Sequence, residues 1–134
     1  MNYWLVKQEP ATYSWDDFVK EGSTDWTGVR NFQARNFLKE MKKDDQVLFY
    51  HSGEDKAVVG IATVVKPNFP DPTGDDPKWV AVHLKPVEPL KNKVTLADIK
   101  AVENLKDIHL VRASRLSVMP LPEAAYKTIL KMSK

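Results

Sequence analysis

Residues 46–66, QVLFYHSGEDKAVVGIATVVK, decide the fold class. Two runs rich in β-branched and aromatic residues, 46–52 and 57–66, flank a polar turn at Gly53–Lys56. That pattern predicts an antiparallel hairpin. Gly60 interrupts the second run, where it marks a bulge or a close approach of another chain segment. Working outward, YWLVK (3–7) and WVAVHLKPVE (79–88) read as further strands. LVRASRLSVMPL (110–121) alternates and reads as a strand with an irregular middle. PNFPDPTGDDPK (67–78) holds four prolines and is expected to be a loop.

Helical signals are short and lie between these runs. Ser14 with Asp17 three residues on is a relative of the capping box and starts a brief helix that stops near Gly22. Asn31 is placed to cap a second helix, in which Ala34, Phe37, Leu38 and Met41 fall on one apolar face. Lys39, Lys42 and Lys43 sit late in it, where cations suit the helix dipole. Thr95–Ala101 repeats the capping pattern, with Thr95 as cap and Asp98 at the third position. Pro122 opens a last helix lined by Ala125, Ile129 and Met132. Short helices between antiparallel strands predict an α+β architecture: a small curled sheet or barrel with helices at its ends.

The 134 residues fit one domain, 1–134. With 43% hydrophobic and 28% charged residues, the chain has the composition of an ordinary globular domain. The absence of cysteine removes disulfides, thiolate metal sites and cysteine nucleophiles together. The N-terminus turns polar within seven residues, so no signal peptide is read there. No apolar run reaches the ~20 residues of a membrane span. The expected protein is a soluble, intracellular monomer, in the cytoplasm or associated with the nucleoid. Its net charge is only +2, so a nucleic-acid partner would require its basic residues to be concentrated on one face.

No catalytic constellation stands out. His51 and Ser52 are adjacent, but neighbouring residues of a strand point to opposite faces. The three histidines, at 51, 83 and 109, lack metal-ligand spacing, and no phosphate-binding loop or dinucleotide fingerprint is present. No metal or cofactor is expected. An enzyme acting on nucleic acid or a nucleotide, with His51 as general base, stays open as an alternative. So does a small-ligand or protein-interaction module.

Binding has better local support. WTGVRNFQARN (26–36) sets Trp26 in a polar loop and Arg30 and Arg35 near a helix start. Tyr50, His51 and Ser52 end a strand, and Trp79 opens another. Aromatic faces stack on bases, while arginines and helix N-termini meet phosphates. Simpler roles compete at each position. Trp4 and Trp15 read as core. Trp79 reads as core, rim packing or pocket wall. Local chemistry leaves Trp26 undecided between core and stacking surface. Arg30 and Arg35 could pair with Asp25 or Asp16, Asn31 could be only a cap, and Ser114 and Ser117 could satisfy local backbone.

Six runs resemble an EVE domain, a member of the PUA-like superfamily related to YTH domains. They are YWLVKQEP (3–10), WTGVRNFQARN (26–36), VLFYHS (47–52), PDP (70–72) leading to WVAV (79–82), VTLADIK (94–100) and SRLSVMPL (114–121), and they cover nearly the whole chain in order. The resemblance implies a PUA-like, curled, mostly antiparallel β-barrel flanked by short helices. It implies a non-enzymatic reader that holds a flipped modified base, with modified cytosine in DNA the leading candidate and modified RNA another. The resemblance implies base-binding roles for Lys7, Gln8, Glu9, Pro10, Trp26, Asn31, Tyr50, His51, Ser52, Ser114 and Ser117, with Trp26 as the stacking wall, and Trp79 joins this set on the local reading. Arg30, Arg35 and Arg115 are the implied phosphate-binding set. Three departures accompany the match: Asp44 where glycine is common, TGDDP at 73–77, and His83 at a strand position that is often acidic.

Overall fold

The computed structural model describes all 134 residues. Six strands form one mixed sheet in the order β2-β5-β4-β3-β1-β6. They are β1 (Tyr3–Gln8), β2 (Thr24–Trp26), β3 (Gln46–His51), β4 (Ala57–Pro70), β5 (Val80–Thr95) and β6 (Val118–Leu121). β1 and β3 run parallel, and every other pairing is antiparallel. Five α-helices connect or flank the strands: α1 (Trp15–Glu21), α2 (Phe32–Glu40), α3 (Leu96–Lys100), α4 (His109–Arg112) and α5 (Glu123–Met132). The architecture is α+β, as expected. The sheet curls without closing, and β2 and β6 remain as its two edges.

The curl comes from β4 and β5, whose ladder shifts register four times between Ala57 and Pro70. Each shift bends the ribbon and strengthens its twist. Bending carries the edges toward each other. Gln8 of β1 and Trp26 of β2, four places apart in strand order, line the same small cavity.

Gly60 meets both expectations of it. The register slips beside it, between Val58 and Gly60 and between Phe49 and Tyr50. The Trp15 ring lies directly over it, so that a Cβ there would fall 2.5 Å from the indole. Trp15 then packs edge-on against Phe18 and Phe49, with Phe18 stacked on Phe49 at 5.4 Å. This aromatic layer belongs to a continuous core that includes Leu5, Leu38, Leu48, Leu84, Met119 and Ile129.

The predicted caps form. Ser14 and Thr95 each make a full capping box, and the Asn31 side chain accepts a hydrogen bond from the Ala34 N–H at 2.9 Å. Several predicted segments differ. Trp26, expected in a loop, ends β2; α2 stops at Glu40, short of Lys42 and Lys43; and β5 runs on past residue 88 to Thr95. The expected loop at 67–78 begins later, because β4 continues to Pro70. Past Thr63, β4 has left the ladder with β3, so Pro67 and Pro70 leave no partner strand on that side without a donor. The expected strand at 110–121 splits: residues 109–112 turn as α4, and only 118–121 pair, against β1. Asp44 adopts φ +74°, the left-handed conformation that favours the glycine it replaces relative to the family pattern.

Candidate nucleic-acid interface

The C-terminal ends of the parallel pair β1 and β3 gather a large part of the predicted base-binding set. Their register sets Lys7 beside Tyr50 and Gln8 beside His51. The Ser52 N–H donates to the Gln8 carbonyl at 2.9 Å, and the Lys7 N–H donates to the Ser117 carbonyl at 2.9 Å. The Lys7 ammonium donates to the Ser114 carbonyl at 2.9 Å and stands 5.7 Å from the Tyr50 ring centroid. Burial pulls the Lys7 pKa below the usual lysine range. Lys7, Gln8, Tyr50, His51, Ser52, Ser114 and Ser117 therefore share one end of the sheet.

Trp26 takes the core role of the two its local sequence left undecided, and it borders a cavity. It is 4% exposed and packs edge-on against Phe49 at 5.7 Å, with Phe18 and Tyr13 beyond. It is a core residue, and part of its surface still lines a cavity of about 140 Å³ with Gln8, Tyr13, Thr24, Asp25 and Thr27. That volume equals four or five waters at ~30 Å³ each, and it is too small for a drug-sized ligand. Its wall is mostly polar, and its lining residues include two aromatics, one amide and one acid. Burial, reinforced by the hydrogen bond to Glu21 at 2.6 Å, pushes the Tyr13 pKa up to about 12. Asp25 also hydrogen-bonds His83 at 2.7 Å across the β2–β5 pair, so the unusual histidine supports the cavity wall. The sequence reading missed Tyr13, Thr24, Asp25 and Thr27. The cavity exists only because the sheet curls, and no local pattern reports that.

A second hollow of about 320 Å³ is lined by Asn31, Gln33, Arg112, Ala113, Ser114, Arg115 and Leu116. It is polar, with two guanidinium groups; Arg112 pairs with Asp107. Ser114 belongs both to this hollow and, through its carbonyl, to the Lys7 contact.

The remaining predicted residues lie elsewhere. Glu9 and Pro10 line an acidic depression with Ala11, Gly53, Glu54 and Asp55. Arg35 and Trp79 both lie against Phe32 at the start of α2. The Arg35 guanidinium binds the Asn36 side chain at 2.7 Å, and the Trp79 ring stacks on Phe32 at 5.1 Å. Arg30 is committed to structure. Its guanidinium donates to the Asp71 carboxylate at 2.9 Å and to the Thr73 hydroxyl at 3.1 Å. The Gly28 N–H and the Thr73 N–H and hydroxyl donate to that same buried carboxylate. Burial alone would raise the Asp71 pKa, but the hydrogen bonds from Thr73, Arg30 and Gly28 outweigh it. They hold the group well below the ordinary carboxylate range.

His51 has no ring nitrogen available as a general base. Nε2 accepts from the Trp15 N–H at 2.9 Å, which leaves the proton on Nδ1, 3.0 Å from the Asp55 carboxylate. A hollow of about 710 Å³ lies at the opposite end of β1 between residues 1–4, 37–42 and 120–123, and none of the predicted site residues lines it. No helix is long and apolar enough to cross a membrane.

A curled mixed sheet with short helices is a fold shared with YTH domains. The YTH domain of the Zygosaccharomyces rouxii MRB1 protein, in complex with N6-methyladenosine RNA, matches with a TM-score of 0.60 at 15% identity, over 99% of this chain and 86% of that one. Within that fold the chain belongs to the EVE domain family, whose model matches residues 2–132. Mouse thymocyte nuclear protein 1 is 33% identical over 167 aligned positions, covering 99% of this chain and 74% of the relative. Protein Atu2648 of Agrobacterium tumefaciens has a crystal structure that matches with a TM-score of 0.97 at 42% identity, over 99% and 93% of the two chains. The human THYN1 protein, in complex with DNA containing 5-methylcytosine, matches with a TM-score of 0.93 at 30% identity, over 100% and 98%.

Proposed function

We propose that this protein is a non-enzymatic reader of a modified base, with modified cytosine in DNA as its ligand. The observation that carries the reading is the Trp26 cavity. Its lining includes the aromatic residues Trp26 and Tyr13, whose rings would stack on a base that enters, and Gln8, whose amide would meet the polar edge of that base. The small volume favours one pyrimidine ring over a purine. The base leaves its stack to enter, at a cost of a few kcal/mol that good pocket contacts recover. Lys7 and Arg115, on the side of Ser114, meet the flanking phosphates. The likeness to human THYN1, a protein crystallised with 5-methylcytosine DNA, supports the same choice.

Fluorescence anisotropy on labelled strands and duplexes tests the reading, using plain cytosine, 5-methylcytosine, 5-hydroxymethylcytosine, adenine and N6-methyladenine. One modified cytosine in DNA should bind at least about tenfold more tightly than plain cytosine. Trp26→Phe, which keeps the core filled, and Gln8→Ala should erase that preference. Equal affinities across the panel would sink the proposal, and a preference confined to RNA or to N6-methyladenine would reassign the ligand.

A further inference from the structure

Phe32, the first residue of α2, lies off the helix face formed by Ala34, Phe37 and Leu38, and it is 55% exposed. A large apolar side chain left in water at a helix start needs a reason. Its ring rests against Trp79 with centroids 5.1 Å apart and planes 30° from parallel. The Arg35 guanidinium stands 5.1 Å from the Phe32 centroid, and the Lys78 ammonium 5.3 Å from both rings. Arg30 lies 5.6 Å from Trp79. Not all of this charge is available. Asp71 neutralises Arg30, and Asp76 pairs with Lys78 at 3.5 Å in an exposed contact. Asp75, exposed beside Asp76, adds one more negative charge. Arg35 differs, because its guanidinium binds only the Asn36 side chain and the Lys78 carbonyl, and neither is an anion.

Exposed aromatic surface edged by cations, one of them without a counter-ion, is the chemistry of a stacking contact for nucleic acid. Its position makes the contact specific. Phe32 follows Asn31, which lines the Arg115 hollow, so this aromatic pair and the basic hollow flank the first turn of α2. We infer that Phe32, backed by Trp79, stacks on the base next to the one held in the pocket, while Arg35 meets the phosphate between them. Withdrawing one base uncovers the face of its neighbour, and an aromatic side chain re-covers it. The bound segment then spans at least two nucleotides. This inference rests on the reader proposal for where the chain runs, but not for which base is read.

The test compares a modified-cytosine mononucleotide with a tetranucleotide centred on the same base, as single strand and within a duplex, by competition anisotropy. Phe32→Ala should weaken tetranucleotide binding about 5- to 150-fold, the range of one lost stack. The mononucleotide, too short to reach Phe32, should change less than about twofold. Phe32→Tyr should restore the longer ligand, while Phe32→Leu should not, which separates stacking from mere bulk. Unchanged thermal unfolding of Phe32→Ala excludes loss through misfolding. A loss in the single-strand arm or in the duplex arm supports the contact and says which substrate presents it. Equal loss for both lengths, no loss for either, or competition by a polyglutamate peptide as effective as the oligonucleotide would overturn it. If wild type shows no preference for the modified base yet Phe32→Ala still weakens the tetranucleotide, the stacking contact stands and the base-reading proposal falls.

Discussion

Asp71 shows how one side chain fixes the loop behind the site. Its buried carboxylate receives hydrogen bonds from Gly28, Thr73 and Arg30, tying the turn after Trp26 to the loop after β4. Breaking a buried pair on one side typically costs 3–5 kcal/mol. Arg30 is more than a third exposed, so water screens part of that, and about 2 kcal/mol is expected for Asp71→Asn. The pH dependence has a definite sign. The folded pKa is depressed, so the contribution is complete above the unfolded value of about 4 and declines as pH falls through the folded value. Urea unfolding from pH 7 to pH 2 should show the wild-type advantage over Asp71→Asn shrinking only below about pH 4. A constant difference across that range would refute the account. The sequence offered Asp71 only as part of a proline-rich turn, and the assignment of Arg30 to phosphate followed from not seeing this partner 41 positions away. At Trp26, too, local residues left two roles open; the structure shows the core role, and the stacking role belongs to the proposal.

Elements show the same division between local and distant causes. Every predicted helix cap forms, because capping is decided within four residues. β4 and β5 were legible as strands but not in their extent. Pro67 and Pro70 read as loop, yet they, like Pro86 and Pro89, sit where the strand has lost a neighbour on one side. Alternation through 110–121 was misleading because α4 turns first, positioning the Ser114 carbonyl for Lys7. Gly60 is the clearest element-scale test. Gly60→Ala places a methyl 2.5 Å from the Trp15 ring, and overpacking of this kind costs about 1–3 kcal/mol. The clash falls on the far edge of the indole, so Trp15→Phe should relieve it. In a double-mutant cycle followed by denaturant unfolding, Gly60→Ala should be much less harmful in the Trp15→Phe background. Additive losses would mean that the glycine is required for its backbone conformation instead.

At the scale of the whole molecule, the near balance of charge predicts how binding responds to salt. Of 20 basic residues, few are placed to meet phosphate beside the cavity: Lys7 and Arg115 near Ser114, and Arg35 by the Phe32 contact. Glu9, Glu54 and Asp55 line a shoulder that repels backbone on the other side. Two or three neutralised phosphates give a log–log salt slope of about −2 to −3 on duplex DNA. Affinity should then fall roughly 15- to 60-fold between 50 and 200 mM salt, against the 10³–10⁵ of proteins making 6–10 phosphate contacts. A reader with so little electrostatic grip must draw its selectivity from the pocket, and nonspecific binding should be weak. Arg115→Gln should lower the slope by about 0.9 and weaken plain and modified DNA alike, because a phosphate contact carries no base information. Lys127→Gln on α5, whose nearest carboxylate is the exposed Glu123 at 3.8 Å, should leave the slope unchanged. A wild-type slope steeper than about −5, or one indifferent to Arg115, would place the nucleic acid on a different face. The broad hollow at the opposite end of β1, with Lys39 and Lys42 on its wall, is where such a result would redirect the search.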